Sequence, residues 1–318
     1  MSLWFNSGFT MSKLIAIVGP TAVGKTEVAI ECALLLHGEI VSADSMQVYR
    51  GMDIGTAKPT AEQRARVPHH LIDLVGPDEE FSVAIYRERA EAVIDDLFRR
   101  GRRPLLVGGS GLYVRAVTGK WGMTLAPRDA ALRKRMQDEA REKGIEALHT
   151  RLAGIDPETA AKISSRDEKR IIRALEVFET TGSPMSHFHR LDRARQPKYN
   201  AVMIGLTLPR SLLYARIEER IDRMMEAGLL EEVKSLREKG YPSGLVSMKA
   251  LGYSHLLSYL EGEVDLETAV KLFKRNTRRF AKRQMTWFRA EPGIHWLEVE
   301  GRSPAETAQE IVRIAEKD

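Results

Sequence analysis

Cysteine is almost absent from this 318-residue chain: Cys32 is the only one, and it lies in an apolar stretch predicted to be helical. A disulfide framework and a cysteine zinc site are therefore excluded, and we expect a cytoplasmic protein. The sequence also has no run of about 18 apolar residues, so we expect no membrane span. The leader MSLWFNSGFT lacks the basic start and long apolar run of a signal peptide, and we predict a disordered extension for residues 1–10.

The composition is that of a globular protein with a small excess of positive charge. Hydrophobic residues make up 43 % and charged residues 29 %, and the length favours one large domain with a smaller one. The net charge is +5, and residues 271–289, KLFKRNTRRFAKRQMTWFR, hold eight basic residues and no acidic one. This stretch fits either a solvated amphipathic helix or a face that follows nucleic-acid phosphates.

Short apolar segments alternate with amphipathic ones along most of the chain, a pattern typical of an α/β fold with a parallel sheet between helices. Residues 124–198 instead show helical patterns with no convincing strand. We therefore predict an α/β core from 11–123 and 199–318, and an inserted all-helical domain at 124–198. The predicted strands are 13–19, 38–50, 69–75, 104–109, 201–208 and 294–299, and helices are predicted at 83–101, 210–239 and 265–289, among others.

The segment GPTAVGKT matches the phosphate-loop (P-loop) pattern G-x-x-x-x-G-K-[ST] and lies between a predicted strand and a predicted helix. Its glycines allow successive backbone N–H groups to face an anion at the helix N-terminus. Lys25 adds positive charge, and the Thr26 hydroxyl can bind Mg²⁺ that phosphates carry. We predict a diphosphate or nucleotide site, with ATP left open, formed by Gly19, Pro20, Thr21, Ala22, Val23, Gly24, Lys25 and Thr26.

Enzymes that transfer phosphoryl groups usually need an acidic residue at the end of a neighbouring strand. The candidate strand PLLVGG ends in glycines and Ser110, without a carboxylate. The other candidate is Asp44, at the end of EIVSAD, which fits a metal ligand, a general base or a simple turn cap. Ligands bind at this edge of open α/β sheets, so Asp44 is expected beside the phosphate loop. His69 and His70 are adjacent, point to opposite faces of a strand and favour packing over a metal pair.

In this order, GPTAVGKT, DSMQVYRGMDIGTAKP, VPHHLID, LLVGGSGLY, RALEVFETTGSP, RIEERIDRM and RRFAKRQMTWFR resemble the tRNA dimethylallyltransferases, from about Leu14 to Arg289. The resemblance implies transfer of a dimethylallyl group from dimethylallyl diphosphate to the adenine just 3′ of the anticodon, with Mg²⁺ as cofactor. It implies that Asp44 is the general base, since the adenine amine must lose a proton as the C–N bond forms. It also implies that Lys25 and Arg220 stabilise the departing diphosphate and that Ser110 acts near the reacting amine.

We also expect the inserted domain to be a clamp on the anticodon stem of tRNA, because only two connections join it to the core and it holds many basic residues. The sequence gives no oligomeric interface, and we expect a monomer. Residues implied to contact tRNA are Asp44, Ser45, Met46, Gln47, Ser110, Arg133, Lys169, Arg170, Ile171, Ile172, Arg173, Lys249, Lys282, Arg283 and Gln284.

Two other classes of function stay open at the level of sequence. One is a small-molecule kinase or an isopentenyltransferase that acts on free adenine nucleotides. The other is a non-catalytic nucleotide switch or RNA-binding module. The basic stretch at 271–289 and the insertion favour a macromolecular acceptor, and the strand end without a carboxylate disfavours a kinase.

Overall fold

The computed structural model describes residues 13–119, 129–194 and 196–317, and within them the chain forms a six-stranded sheet flanked by helices. The strands are β1 (Leu14–Val18), β2 (Gly38–Ser42), β3 (His69–His70), β4 (Arg103–Gly108), β5 (Ala201–Thr207) and β6 (Ile294–Glu298). They lie in the order β3–β2–β4–β1–β5–β6, and all neighbouring strands are parallel. The predicted α/β fold class is confirmed.

Helices account for most of the remaining described residues. Before the insertion they are α1 (Lys25–Leu36), α2 (Ala61–Arg66), α3 (Val83–Arg99) and α4 (Gly111–Thr118). Those of the insertion are α5 (Ala130–Lys143), α6 (Ile145–Ile155), α7 (Pro157–Ala160), α8 (Glu168–Thr181) and α9 (Met185–Ala194). After it come α10 (Arg210–Glu226), α11 (Leu229–Glu238), a 3₁₀ turn (Ser247–Lys249), α12 (Tyr253–Leu260), α13 (Leu266–Arg289) and α14 (Pro304–Lys317).

The sheet is covered on both faces, as its apolar strands require. All five residues of β1 are buried, and they alternate between two hydrophobic clusters. Ile15 and Ile17 pack in the cluster that includes α1, α10 and α14, whereas Leu14, Ala16 and Val18 pack in the one that includes α3 and α4. A continuous apolar run therefore forms a strand between two helical layers.

The chain divides into two compact units. The first consists of residues 13–118 and 198–317 and contains the sheet; the second extends from 119 to 197 and, where described, contains helices and no strand. The core of the helical unit is formed by Leu132, Met136, Leu148, Leu152, Ala160, Ile171, Ile172, Ala174 and Leu175. The predicted extension 1–10 lies outside the described residues.

Three predicted elements differ from the structure. The segment 38–50, predicted as a strand that ends in a polar loop, is a strand only as far as Ser42. The strand predicted at 69–75 ends after His70, because Leu71 and Asp73 have φ angles of 64° and 57°, which an extended strand excludes. The helix predicted at 210–239 is two helices that separate at Gly228, whose φ is 94°. Every described helix is too short or too polar to span a lipid bilayer.

Glycine is required where β4 ends beside β2. Gly108 is buried, and a Cβ there would collide with the backbone carbonyl of Ala43, the residue that follows β2. The close approach allows Ala43 N–H to donate to Val107 O at 2.7 Å, and Ser110 N–H to donate to Ala43 O at 3.2 Å. The two strand ends that carry Asp44 and Ser110 are therefore held against each other.

We predict that Gly108→Ala lowers the free energy of unfolding by about 1–3 kcal/mol, the usual cost of overpacking a tight site. Gly244→Ala is the matched control, because no atom lies within 4 Å of its added Cβ and its φ is not left-handed. Urea unfolding of both variants measures the difference. Equal stabilities would contradict the tight contact between the two strand ends.

Candidate active site

The phosphate loop connects β1 to α1, and its conformation depends on Gly24. This residue is exposed and has a φ of 102°, a left-handed conformation that glycine adopts without strain. Helix α1 begins at the next residue, so the free N–H groups of its first turn and the backbone of the loop open to the same space. The structure therefore has the backbone geometry of an anion site here.

Lys25 and Arg220 supply positive charge to this loop. The ammonium of Lys25 donates to Gly19 O at 3.0 Å and Pro20 O at 2.8 Å, and Arg220 Nη1 donates to the Thr21 hydroxyl at 3.3 Å. Burial, with added repulsion from Arg220, lowers the pKa of Lys25 to about 7, although the Asp44 carboxylate acts in the opposite direction. Burial also lowers the pKa of Arg220 against the attraction of Asp44. The predicted catalytic groups Lys25, Arg220 and Asp44 are thus brought together.

Asp44 follows β2 and begins a tight polar turn. Its Oδ1 accepts the N–H of Met46 at 2.8 Å, a side-chain-to-backbone bond that fixes the carboxylate. Ser110, after β4, accepts the N–H of Ser45 at 3.0 Å, and its hydroxyl donates to the Ser45 hydroxyl at 3.2 Å. Asp44 and Ser110 therefore lie at one edge of the sheet, where the bonds from Ser110 to Ser45 join the end of β4 to the end of β2.

Gln284 braces the phosphate loop from α13. Its Oε1 accepts the N–H of Thr21 at 2.9 Å, and its Nε2 donates to Gly109 O at 3.0 Å. The side chain is buried, so both ends of its amide serve the protein itself. The structure therefore assigns Gln284, expected as a tRNA contact, to holding the loop against the end of β4.

Two cavities meet at this site. The larger, about 940 Å³, is lined by the phosphate loop, Asp44, Gln47 and three arginines of α10. The smaller, about 280 Å³, is lined by Asp44, Ser110 and Arg220 together with apolar side chains, and Val246 and Lys249 lie at its exposed side. Thr21, Asp44 and Arg220 line both, so these residues lie where the two cavities join.

The donor set fits Mg²⁺ carried by phosphates and not a cage made by the protein alone. No group of three or more His, Cys, Asp or Glu side chains could hold a metal within the described residues. The Thr26 hydroxyl lines the larger cavity and forms no hydrogen bond with another described residue. One hydroxyl together with substrate oxygens is a usual way to bind Mg²⁺. His69 and His70 instead bond to Val67 O at 2.8 Å and to Glu39 at 2.7 Å.

The residues expected to contact tRNA are divided between the two units. In the α/β unit, Lys249, Lys282 and Arg283 are exposed, whereas Gln47 is half-buried and its Oε1 accepts the Ser42 hydroxyl. In the helical unit, Lys169 and Arg170 are exposed on α8, and Arg133 and Arg173 both bind the buried carboxylate of Glu176. The expectation that Ile171 and Ile172 contact tRNA is corrected for their side chains, because both are buried in the core of that unit.

The basic stretch of α13 is less uniform than its sequence indicates. Lys271 pairs with Glu267, Lys274 with Asp222 and Arg278 with Glu218, so three of its charges are compensated. The two partners from α10 are about 50 to 60 positions away in sequence, which is why the pattern did not show them. Arg275, Arg279, Lys282, Arg283 and Arg289 form no ion pair with another described residue.

The sequence interpretation also missed two arginines of the site. Arg216 and Arg223 line the larger cavity with Arg220, and all three stand on one face of α10. Their spacing of four and three residues is the signal that could have identified them, because such positions share a helix face.

We predict that inorganic diphosphate binds with uptake of a proton by Lys25 above pH 7. In the free protein the lowered pKa leaves this amine largely neutral at pH 8, and a bound anion raises the pKa again. Calorimetric titration in two buffers of different ionisation enthalpy measures the uptake. Lys25→Met is the control for protons that diphosphate itself exchanges. Equal proton uptake by both chains at pH 8 would contradict the role of Lys25, and at pH 6 the difference should disappear.

Known proteins resemble this chain over almost its whole length. The family model described as IPP transferase matches residues 47–291, and a second, Isopentenyl transferase, matches 12–70. A tRNA dimethylallyltransferase of Pelotomaculum thermopropionicum is 52 % identical over 95 % of this chain and 96 % of its own.

Solved structures agree with these matches. The tRNA isopentenylpyrophosphate transferase of Bacillus halodurans has a TM-score of 0.72 and 45 % identity, with 96 % of each chain covered. A eukaryotic dimethylallyltransferase acting on tRNA has a TM-score of 0.78 and 27 % identity, over 91 % of this chain and 74 % of that one. The family predicted from the motifs is therefore confirmed: this chain belongs to the tRNA dimethylallyltransferases.

Proposed function

We propose that this enzyme transfers the dimethylallyl group of dimethylallyl diphosphate to the exocyclic amine of the adenine 3′ of the anticodon in tRNA. The products are N6-isopentenyladenosine and diphosphate. The observation that carries the proposal is the position of Asp44 beside Lys25 and Arg220, where the phosphate-loop cavity joins an apolar one. One carboxylate and two cations at a junction of two cavities suit a reaction between two substrates.

The donor diphosphate fits the larger cavity. Backbone N–H groups of the loop, the Lys25 ammonium and the Arg220 guanidinium can all bind its oxygens. As the C–O bond breaks, negative charge grows on the leaving oxygen, and fixed cations in a desolvated site stabilise it. Mg²⁺, held by the Thr26 hydroxyl and the diphosphate oxygens, would supply further positive charge when bound.

The acceptor amine fits the side of Asp44 that faces the smaller cavity. The nitrogen lone pair of adenine is delocalised into the ring, so the amine is a weak nucleophile until it loses a proton. The N–C bond forms, the C–O bond breaks, and the proton passes to the Asp44 carboxylate. Ser110 holds the Ser45 end of the Asp44 turn and so orients the base.

Attack on carbon explains why β4 ends without a carboxylate. In phosphoryl transfer an acidic strand end holds the metal that bridges the reacting phosphates. Here Gly108, Gly109 and Ser110 stand at that position, and Gly109 O is occupied by the Gln284 amide. This arrangement disfavours the kinase alternative and leaves the phosphate loop free to bind a leaving group.

The adenine would enter through the exposed side of the smaller cavity, near Val246 and Lys249. One face of α13 lines the cavities through Phe273, Thr277 and Phe280, and the same helix exposes Arg279, Lys282 and Arg283. A base in the cavity would thus place the adjoining tRNA backbone near a basic helix. We propose that this helix and the arginines of the helical unit bind tRNA phosphates.

We predict that Asp44→Asn and Asp44→Ala lower turnover by about 10²–10⁴, the usual scale for loss of a general base. Diphosphate binding should change little, because the loop, Lys25 and Arg220 are intact. The assay follows label from dimethylallyl diphosphate into tRNA and identifies the nucleoside after digestion. Asp78→Asn, at an exposed position outside both cavities, is the control. Near-normal turnover of Asp44→Asn would exclude Asp44 as the base.

We further predict that changing Arg279, Lys282 and Arg283 together to Gln reduces the salt dependence of tRNA affinity. Each lost phosphate contact should lower the slope of log K against log salt by about 0.7–0.9. The matched control changes Lys234, Lys239 and Lys317, three exposed lysines outside both cavities and outside α13, to Gln. Filter binding at several salt concentrations gives both slopes. If the α13 variant and the control variant had equal slopes, this face of α13 would be a solvated surface that does not bind tRNA phosphates.

A further inference from the structure

The loop at 51–58 borders both cavities but belongs to neither the phosphate loop nor the Asp44 turn. Asp53, Ile54, Ala57 and Lys58 line the larger cavity, and Gly55 lines the smaller one. Thr56 lines both, so it stands at their junction together with Asp44. The position of this loop therefore sets the shape of the space beside the base.

Glu232, on α11, holds this loop from outside the cavities. Its Oε2 accepts the N–H groups of Asp53 at 2.9 Å and Ile54 at 2.8 Å, and its Oε1 accepts the N–H of Gly55 at 3.2 Å. Three consecutive backbone donors thus converge on one carboxylate, an arrangement that otherwise binds anions. Glu232 itself lines neither cavity.

Tyr253 completes the contact. Its ring is fully buried, and its hydroxyl donates to Glu232 Oε1. Burial and the neighbouring carboxylate of Glu232 raise the pKa of Tyr253, which keeps the hydroxyl a donor. Bonds to an ionised acceptor are stronger than neutral ones. Glu232 is therefore held from one side while it fixes three peptide groups on the other.

The inner side of the same loop is tied to the Asp44 turn. Gln47 Nε2 donates to Ala57 O at 3.2 Å and Thr56 O at 3.4 Å, and Gln47 Oε1 accepts the Ser42 hydroxyl at 2.9 Å. Gln47 lies three residues after Asp44 in the same turn. A displacement of the loop would thus reach the turn that carries the base, whereas the phosphate loop is braced separately by Gln284.

We propose that Glu232 is a positioning residue for the acceptor: by fixing the peptide groups of Asp53, Ile54 and Gly55, it sets the wall against which the adenine meets Asp44. This inference rests on the proposed function, since it concerns the acceptor side of the same site. It separates Glu232 from the catalytic residues, because the carboxylate touches no cavity. On the donor side, Asp53 and Ile54 border the larger cavity, but the groups that bind the diphosphate are held by other contacts: the phosphate loop by Gln284, and Lys25 and Arg220 by the loop itself.

The test compares Glu232→Ala and Glu232→Gln with Glu231→Ala. Glu231 is the matched control, because it is the preceding residue of α11, is exposed and pairs only with Lys234 among the described residues. We expect Glu232→Ala to lower kcat/KM for tRNA by about 10- to 100-fold, the scale of a small misplacement of reacting groups. KM for dimethylallyl diphosphate and the affinity for inorganic diphosphate should stay within about twofold. Glu232→Gln keeps one oxygen that can accept two of the N–H groups, so its kcat/KM for tRNA should lie between the values of the wild-type chain and Glu232→Ala.

Hydrogen exchange of the amides at 53–55 gives a readout that does not depend on turnover. These amides should exchange faster in Glu232→Ala than in the wild-type chain, and their exchange rates should be unchanged in Glu231→Ala. The proposal would be overturned if Glu232→Ala and Glu231→Ala had equal kcat/KM for tRNA. It would also be overturned if Glu232→Ala lost diphosphate affinity in parallel with kcat/KM, because that would indicate a general structural role. If the wild-type chain transferred no dimethylallyl group, the proposed function would fail, and the exchange result would decide whether Glu232 fixes the loop.

Discussion

The proximity of Lys25, Arg220 and Asp44 in a desolvated cleft is the constraint on which the rest of the site depends. The positive charge of Arg220 repels that of Lys25, and burial lowers the pKa of both side chains. We propose that a diphosphate, as a multiply charged anion, relieves that repulsion, and that the cleft stabilises it most when leaving-group charge is greatest. The carboxylate of Asp44 lies near both cations and at the edge of the apolar cavity, so it is the group available to an amine.

The scaffold places these groups through ordinary features of a parallel sheet. The ends of β2, β4 and β1 lie side by side, and Asp44, Ser110 and the phosphate loop follow them in that order. Gly108 allows the first two ends to touch, and Gln284 ties the loop to the end of β4. A fold often associated with phosphoryl transfer thus serves alkyl transfer by a change of residues at one sheet edge.

The sequence was sufficient for the fold class, the phosphate loop and the placement of Asp44, because each depends on local patterns or on the edge rule for parallel strands. It did not indicate the contacts that join distant segments. Gln284 reaches Thr21 across 263 positions, and Glu232 reaches Asp53 across 179. The pairing of Arg278 with Glu218 is of the same kind. Strand β3 ends where Leu71 and Asp73 have positive φ, and the N–H of Asp73 there donates to Gln47 O at 3.1 Å, another contact between separate segments.

We propose that the phosphate loop binds a leaving diphosphate and does not hydrolyse a nucleotide. In the most direct measurement, the enzyme is incubated with dimethylallyl diphosphate, tRNA and Mg²⁺, without ATP. The amount of diphosphate released is then compared with the amount of isopentenyladenosine formed. We expect one diphosphate per modified nucleoside, no orthophosphate, and no increase in rate when ATP is added. A requirement for ATP, or release of orthophosphate in step with product, would contradict the claim and make Asp44 a metal ligand of a nucleotide-dependent enzyme.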